Sequence, residues 1–167
     1  MSIIRKVFDK LDSILHFDIA YAHCDVPCGI YDPHSMQMAA HTVIRMDMLI
    51  AEAMKNGGTS PEDRNKIIRC VKVKEEHAEI AKHEASVLWG DYFKPEHIKQ
   101  FPELNDLVFN TLKLASKSKQ GTDIKTAEDL LENTEKIAEI FWKTKGVETK
   151  RVKSFYPTER EIVYPKV

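Results

Sequence analysis

Between Asp32 and Gly146 the apolar residues recur at helical spacing in four blocks. Met36, Ala40, Val43, Ile44, Met48 and Ala51 mark one face of a helix over about residues 34–56, opened by Asp32-Pro33 and ended by Gly57-Gly58. Ser60-Pro61-Glu62-Asp63 combines an N-cap with a proline at the first helical position and opens a second long helix. That helix runs to Trp89 or Phe93, because Pro95 forbids much more. Pro102 opens a third pattern, with Leu104, Leu107, Val108, Leu112 and Leu114, which stops near Gly121. Thr122 or Thr126 begins a fourth, carrying Leu130, Leu131, Ile137, Ile140 and Phe141 to Gly146. Short links and almost no alternating apolar pattern predict an all-α fold, an antiparallel four-helix bundle over residues 34–145.

The two ends do not fit this pattern. Residues 1–22 place Ile3, Ile4, Val7, Leu11, Ile14 and Leu15 near one face of a short amphipathic helix. Asp9, Asp12 and Asp18 offset Arg5, Lys6 and Lys10, and no clean apolar region of a secretory signal survives. The leader is therefore expected to be a propeptide removed in the cytosol, which makes the protein cytoplasmic. Residues 146–167 carry Phe155, Tyr156, Pro157, Tyr164 and Pro165 without a helical period, and Lys145, Lys150, Arg151, Lys153, Arg160 and Lys166 outnumber Glu148, Glu159 and Glu161. Two fates are open to this tail: an ordered strap over the bundle or a neighbouring subunit, or a disordered end.

At 167 residues and 43% hydrophobic, the chain can bury one ordinary core. Its 25 basic and 26 acidic residues leave no net field to attract nucleic acid, and no apolar run is long enough for a membrane span. Three cysteines do not make a disulfide framework. Cys70, in Ile67-Ile68-Arg69-Cys70-Val71, reads as a small buried thiol.

The other two cysteines lie in His23-Cys24-Asp25-Val26-Pro27-Cys28. A cut between Ala22 and His23 would free an α-amine on His23. That amine, the Cys24 backbone nitrogen and the Cys24 sulfur then close two fused five-membered chelate rings, and Cys28 supplies a fourth donor. Two nitrogens and two sulfurs in a plane suit a d⁸ ion such as Ni(II), with the His23 ring above the plane as fifth ligand. Two thiolates and a deprotonated amide donate enough charge to bring the Ni(III)/Ni(II) couple into reach of one-electron chemistry. Softness alone favours copper equally, so selectivity falls to delivery and geometry.

The run His23-Cys24-Asp25-Val26-Pro27-Cys28-Gly29-Ile30-Tyr31-Asp32-Pro33 resembles the nickel hook of the nickel-containing superoxide dismutases. A second block, Ala78-Glu79-Ile80-Ala81-Lys82-His83 and then Val87-Leu88-Trp89-Gly90-Asp91-Tyr92-Phe93-Lys94-Pro95, resembles that family's second helix and its exit. Weaker similarity continues through Phe101-Pro102-Glu103-Leu104 and Ile140-Phe141-Trp142, to about Lys145. The resemblance implies a superoxide dismutase in precursor form, a homohexamer with one nickel ion per subunit and a propeptide-processing peptidase as partner. It implies that His23, Cys24 and Cys28 bind the metal, that Tyr31 and Tyr92 order water at the substrate channel, and that Lys94 guides the anionic substrate. A cis Val26-Pro27 bond is the tight-turn expectation, which the resemblance supports, and Asp25 is expected to hold the loop through backbone N–H groups.

The family steadies its axial imidazole with a glutamate on the first helix held by an arginine on the second; those positions are Ala39 and His77 here. The expected replacement acceptor for the His23 ring is His77, with Gln37 as fallback and water as the remaining choice. Glu75, Glu76, Glu79, His83 and Glu84 lack the Glu-x-x-His spacing of a di-iron bundle and read as solvated helix surface. His34, His41 and His97 carry no ligand spacing. Two other functions stay open on the residues: a non-catalytic nickel or copper carrier with the same amino-terminal chelate, and a helical interaction module whose cysteine pair forms a disulfide.

Overall fold

The computed structural model describes residues 28–55 and 57–166. The leader 1–22, the cleavage junction Ala22/His23 and the hook residues His23, Cys24, Asp25, Val26 and Pro27, with the expected cis bond, lie outside the described residues.

Helix α1 (His34–Lys55) starts where Asp32 Oδ1 accepts the His34 N–H at 2.7 Å. Helix α2 (Pro61–Val87) has Ser60 as N-cap, its hydroxyl accepting the Asp63 N–H at 3.0 Å, and Glu62 and Asp63 against the positive end of the helix dipole. After Val87 the chain widens into a π-helical turn (Leu88–Tyr92), closed by the Phe93 N–H on the Leu88 carbonyl, before Phe93 becomes extended. A short helix α3 (Pro95–Gln100) follows, which the sequence reading lacks. It buries no residue, so it has no apolar period to show. Helix α4 (Leu104–Gln120) and helix α5 (Ile124–Thr144) complete the helical part. The cap of α5 is Asp123, between the two threonines that the sequence left open, with its carboxylate accepting the Lys125 and Thr126 N–H groups at 3.2 and 3.3 Å.

The long helices each pack on two others, α1 on α2 and α5, and α4 on α2 and α5. Met36, Ala40, Val43 and Ile44 of α1 meet Leu104 and Val108 of α4 and Leu130, Ile137 and Phe141 of α5 in one buried cluster. Helix α2 contributes Ala78, Ala81 and Ala85, fully buried and spaced along one face. Side chains this small let the helices approach closely and leave the bulk of the core to α1 and α5. Cys70 is a buried free thiol, as expected.

The all-α expectation stands as a mostly helical fold, to which residues beyond 146, without a helical period, add an antiparallel hairpin of β1 (Thr149–Lys153) and β2 (Glu161–Pro165), pairing Thr149 with Pro165 and Lys153 with Glu161. The tail is thus an ordered strap. Its strands escape sequence reading because burial does not alternate: Ile162 and Val163 are consecutive and both buried, since β2 packs on helices rather than on a second sheet.

Arg151 of β1 anchors the strap on α5, reaching Glu132 at 2.8 Å, Glu135 at 3.0 Å and Glu139 at 2.7 Å. Three carboxylates share one guanidinium. Glu135 is the buried member, and its Oε1 has no hydrogen-bond partner among the described residues. Burial pushes its carboxyl up from 4.5 to about 7, against the pull of Arg151 and with the push of Glu132. The unfolded chain releases this proton near 4.5 while the folded chain holds it to about 7, so the folded state binds more protons in between. The contribution to stability is therefore full below that window and falls as pH rises through it, by up to about 3 kcal/mol. Urea unfolding between pH 5 and 8 should show this decline, and Glu135→Gln should flatten it; an unchanged slope in the variant would assign the pH dependence elsewhere.

Candidate metal centre

Cys28 is an exposed free thiol at the first described position of the hook. Gly29 follows with φ 70°, a left-handed conformation that an L side chain resists, so the chain turns sharply beside the sulfur. Tyr31 then folds back onto the core, and its ring lies 5.4 Å from that of Tyr92, tilted by 53°. Residues far apart in sequence, expected to act as a pair, are in contact. Among the described residues no group of three or more His, Cys, Asp or Glu is placed to hold a metal ion. The free Cys28 sulfur fits a thiolate ligand; the donors that would join it, on His23 and Cys24, precede the described chain.

The π-helical turn sets Tyr92. Its ring packs on Phe141 at 4.6 Å and on Phe93 at 5.2 Å, and stacks on His97 at 5.7 Å. Its hydroxyl lies 2.6 Å from Thr144 Oγ1. The Thr144 hydroxyl donates to the Phe141 carbonyl at 2.6 Å, so its proton is committed there and Thr144 accepts from Tyr92. Tyr92 consequently offers the site an acceptor oxygen rather than a donor. The Lys145 ammonium sits 5.3 Å above the Tyr92 ring and 5.0 Å above that of Phe141. Lys94 is exposed two residues past Tyr92, and its backbone N–H donates to His97 Nδ1 at 3.2 Å. That bond places the proton of a neutral His97 on Nε2.

The sequence reading found Tyr31, Tyr92 and Lys94 but missed His97, Phe141, Thr144 and Lys145 as neighbours of that pair. His97 had one signal, its place three residues after the residue that opens α3, where side chains reach back to the cap. Thr144 and Lys145 end a different helix and had none.

The second layer differs from expectation at Gln37. Its Oε1 accepts the Val163 N–H at 2.8 Å and its amide donates to the Val163 carbonyl at 3.2 Å, so the side chain serves the strap. The expected fallback partner of His23 thus has both its amide groups engaged by the strap. Ala39 is buried in the core. His77, half-buried on α2, has Nδ1 2.8 Å from the Val73 carbonyl, which can only accept. In a neutral ring the proton is on Nδ1, which leaves the Nε2 lone pair to an outside donor. Glu79, read as solvated surface, is exposed and bonds Lys119 of α4. His41 is buried and bound to the strap, a structural role that ligand spacing could not reveal.

The family model of nickel-containing superoxide dismutase matches residues 18–145. The nickel superoxide dismutase of Streptomyces coelicolor is 41% identical over 124 residues, covering 74% of this chain and 88% of the relative. That of Streptomyces seoulensis is 40% identical over the same shares. A native crystal structure of a nickel superoxide dismutase superposes with a TM-score of 0.65 at 41% identity, covering 74% of this chain and 99% of that one. The match takes in Cys28, the Tyr31–Tyr92 contact and the helices that carry it, while the strap lies beyond its end; the chain belongs to the nickel-containing superoxide dismutases.

Proposed function

We infer that this chain is a nickel-dependent superoxide dismutase, turning two superoxide ions and two protons into dioxygen and hydrogen peroxide. The observation that carries the reading is the continuity of the site: three residues after the Cys28 sulfur the chain packs Tyr31 on Tyr92, and Lys94 stands exposed beside them. Nickel would be held by the His23 amine and ring, the Cys24 amide nitrogen and thiolate, and the Cys28 thiolate. When bound there it would supply the one-electron Ni(III)/Ni(II) couple that dismutation requires.

The protein's own residues do the rest. The Tyr92 oxygen, its proton committed to Thr144, accepts from water at the mouth of the site, with the Tyr31 ring packed beside it. Lys94 and Lys145 place positive charge at the approach of an anionic substrate, which raises its encounter rate. His77, with its free Nε2, is the acceptor that steadies the His23 ring in place of the family's glutamate. Such partners of a ligating histidine contribute about 10- to 100-fold in affinity or activity.

Removal of residues 1–22 by a peptidase belongs to the same reading, because an uncut chain has an amide where the chelate needs an amine. An antiparallel four-helix bundle capped by the metal hook is the architecture we assign, supported by the mutual packing of α1, α2, α4 and α5. Assembly into a homohexamer fits exposed Met54 and Ile68 on the single chain. No helix among the described residues is long and apolar enough to cross a membrane; a cytoplasmic site of action rests on the character of the leader. A nickel or copper carrier is not favoured, since storage needs neither a paired-tyrosine mouth nor a guided anion.

Intact mass and metal analysis of active protein should show a chain beginning at His23 with one nickel per subunit; active protein retaining residues 1–22 would sink the amino-terminal chelate. Cys24→Ser and Cys28→Ser should each abolish dismutation while far-UV circular dichroism stays that of the parent, and substantial activity in either would remove that sulfur from the ligand set. Lys94→Ala should lower the rate constant by about tenfold at low salt and flatten its ionic-strength dependence; an unaltered salt dependence would end its guiding role. Thr144→Val should leave the Tyr92 hydroxyl unanchored, cost about 1 kcal/mol of stability and change turnover, with Thr144→Ser restoring both. Turnover unchanged in Thr144→Val would show that the orientation of Tyr92 is not used.

A further inference from the structure

The strap that lies beyond the family match is attached at the place where the hook enters the fold. His34, Gln37 and His41 share a face of α1, in its first two turns, and each meets the hairpin. The His34 ring lies 5.9 Å from Tyr164. Gln37 exchanges two hydrogen bonds with the Val163 backbone, as a neighbouring strand would. His41 Nε2 donates to the Glu161 carbonyl at 2.9 Å, and Nδ1 accepts from the Thr158 hydroxyl at 2.8 Å. Gln37, His41 and Thr158 are all buried. The hairpin is held on its other side by α5, through Arg151 with Glu132, Glu135 and Glu139 and through Arg160 with Glu128. It therefore bridges the last long helix to the first two turns of α1.

We propose that the C-terminal hairpin is a brace for the root of the metal hook, and that Gln37 and His41 are its positioning residues. The inference rests on the nickel reading of residues 23–28. The segment from Cys28 to Pro33 leaves the bundle from a helix end pinned on one side by the Tyr31–Tyr92 contact and on the other by the hairpin. The paired bonds of Gln37 constrain both rotation and sliding of the first turn, which a hydrophobic contact would not. So short an arc transmits displacement of its root to the Cys28 sulfur, and ligand geometry tolerates only a few tenths of an ångström. Two buried polar side chains on the outer face of α1 have their hydrogen-bond partners in the hairpin, so that face is built for it.

The test uses the full processed protein and compares it with Gln37→Leu and His41→Phe. Backbone amide exchange over residues 30–41 is measured in the metal-free form, and nickel release to a chelator and the Ni(III) electron paramagnetic resonance signal in the loaded form, all well below the unfolding temperature. The brace predicts exchange at least tenfold faster at the root of the hook, nickel release faster by a similar factor, and an altered resonance signal, with far-UV circular dichroism unchanged. Exchange and nickel release at parental values in folded variants would overturn it. Should Gln37→Leu fail to fold, Thr158→Val removes a single hydroxyl from His41 and carries the same comparison. A parent protein that bound no nickel would sink the metal reading instead, and the exchange rates of the metal-free protein would still decide the brace.

Discussion

One buried cation fixes the arrangement of the helices. Lys74 of α2 is 1% exposed, bonds Asp47 of α1 at 3.1 Å and donates a further hydrogen bond to the Gly121 carbonyl at the end of α4. A lysine taken out of water costs several kcal/mol unless its partners are placed well, and losing one partner of such a pair costs about 3–5 kcal/mol. Sliding α1 along α2 by a single turn would separate the charges, so the pair sets their register as packing of alanines could not. Asp47 remains under tension: burial pushes its carboxyl up, the bond to Lys74 pulls it back, and its Oδ2 has no partner among the described residues.

The site inherits that register. Tyr31 leads into α1, Tyr92 ends the π-helical turn that follows α2, and Phe141, Thr144 and Lys145 come from the end of α5, so the mouth of the hook is assembled from three parts of the chain whose relative heights the core decides. The π-helical turn is the local adjustment. It inserts extra backbone after Val87 and swings Tyr92 onto Phe141 instead of letting α2 run on. Pro95 makes the departure final, and Lys94, just before it, is left in solvent.

What the sequence made legible follows from how local the signal was. The expected hook ligands, His23, Cys24 and Cys28, sit within six residues, and chelate chemistry alone singles out nitrogen and sulfur donors there. The long helices announce themselves through apolar period and through Ser60-Pro61, with boundaries close to those observed. Tyr92 and Lys94 were legible only through resemblance, since nothing in their spacing separates them from packing residues. The strap was hidden because its buried positions, Ile162 and Val163, are adjacent rather than alternate. Lys74 and Glu135 look like ordinary helix-surface charges in a chain rich in both; only three-dimensional packing shows them to be buried. Gln37 stood in the sequence as a fallback acceptor for the His23 ring, whereas its observed partner is 126 residues away.

That separation sets the order of events during synthesis. The hook residues leave the ribosome well before the groups that hold the helix behind them, Thr158, Glu161 and Val163. On a growing chain Gln37 and His41 face water with no hairpin to receive them. The closure that finishes α1 consequently waits for chain 117 to 126 residues further on, and is slow in the manner of contacts of large sequence separation. A copy whose hairpin has not yet emerged and one whose hairpin has docked thus differ at the root of the hook because of residues more than a hundred positions away.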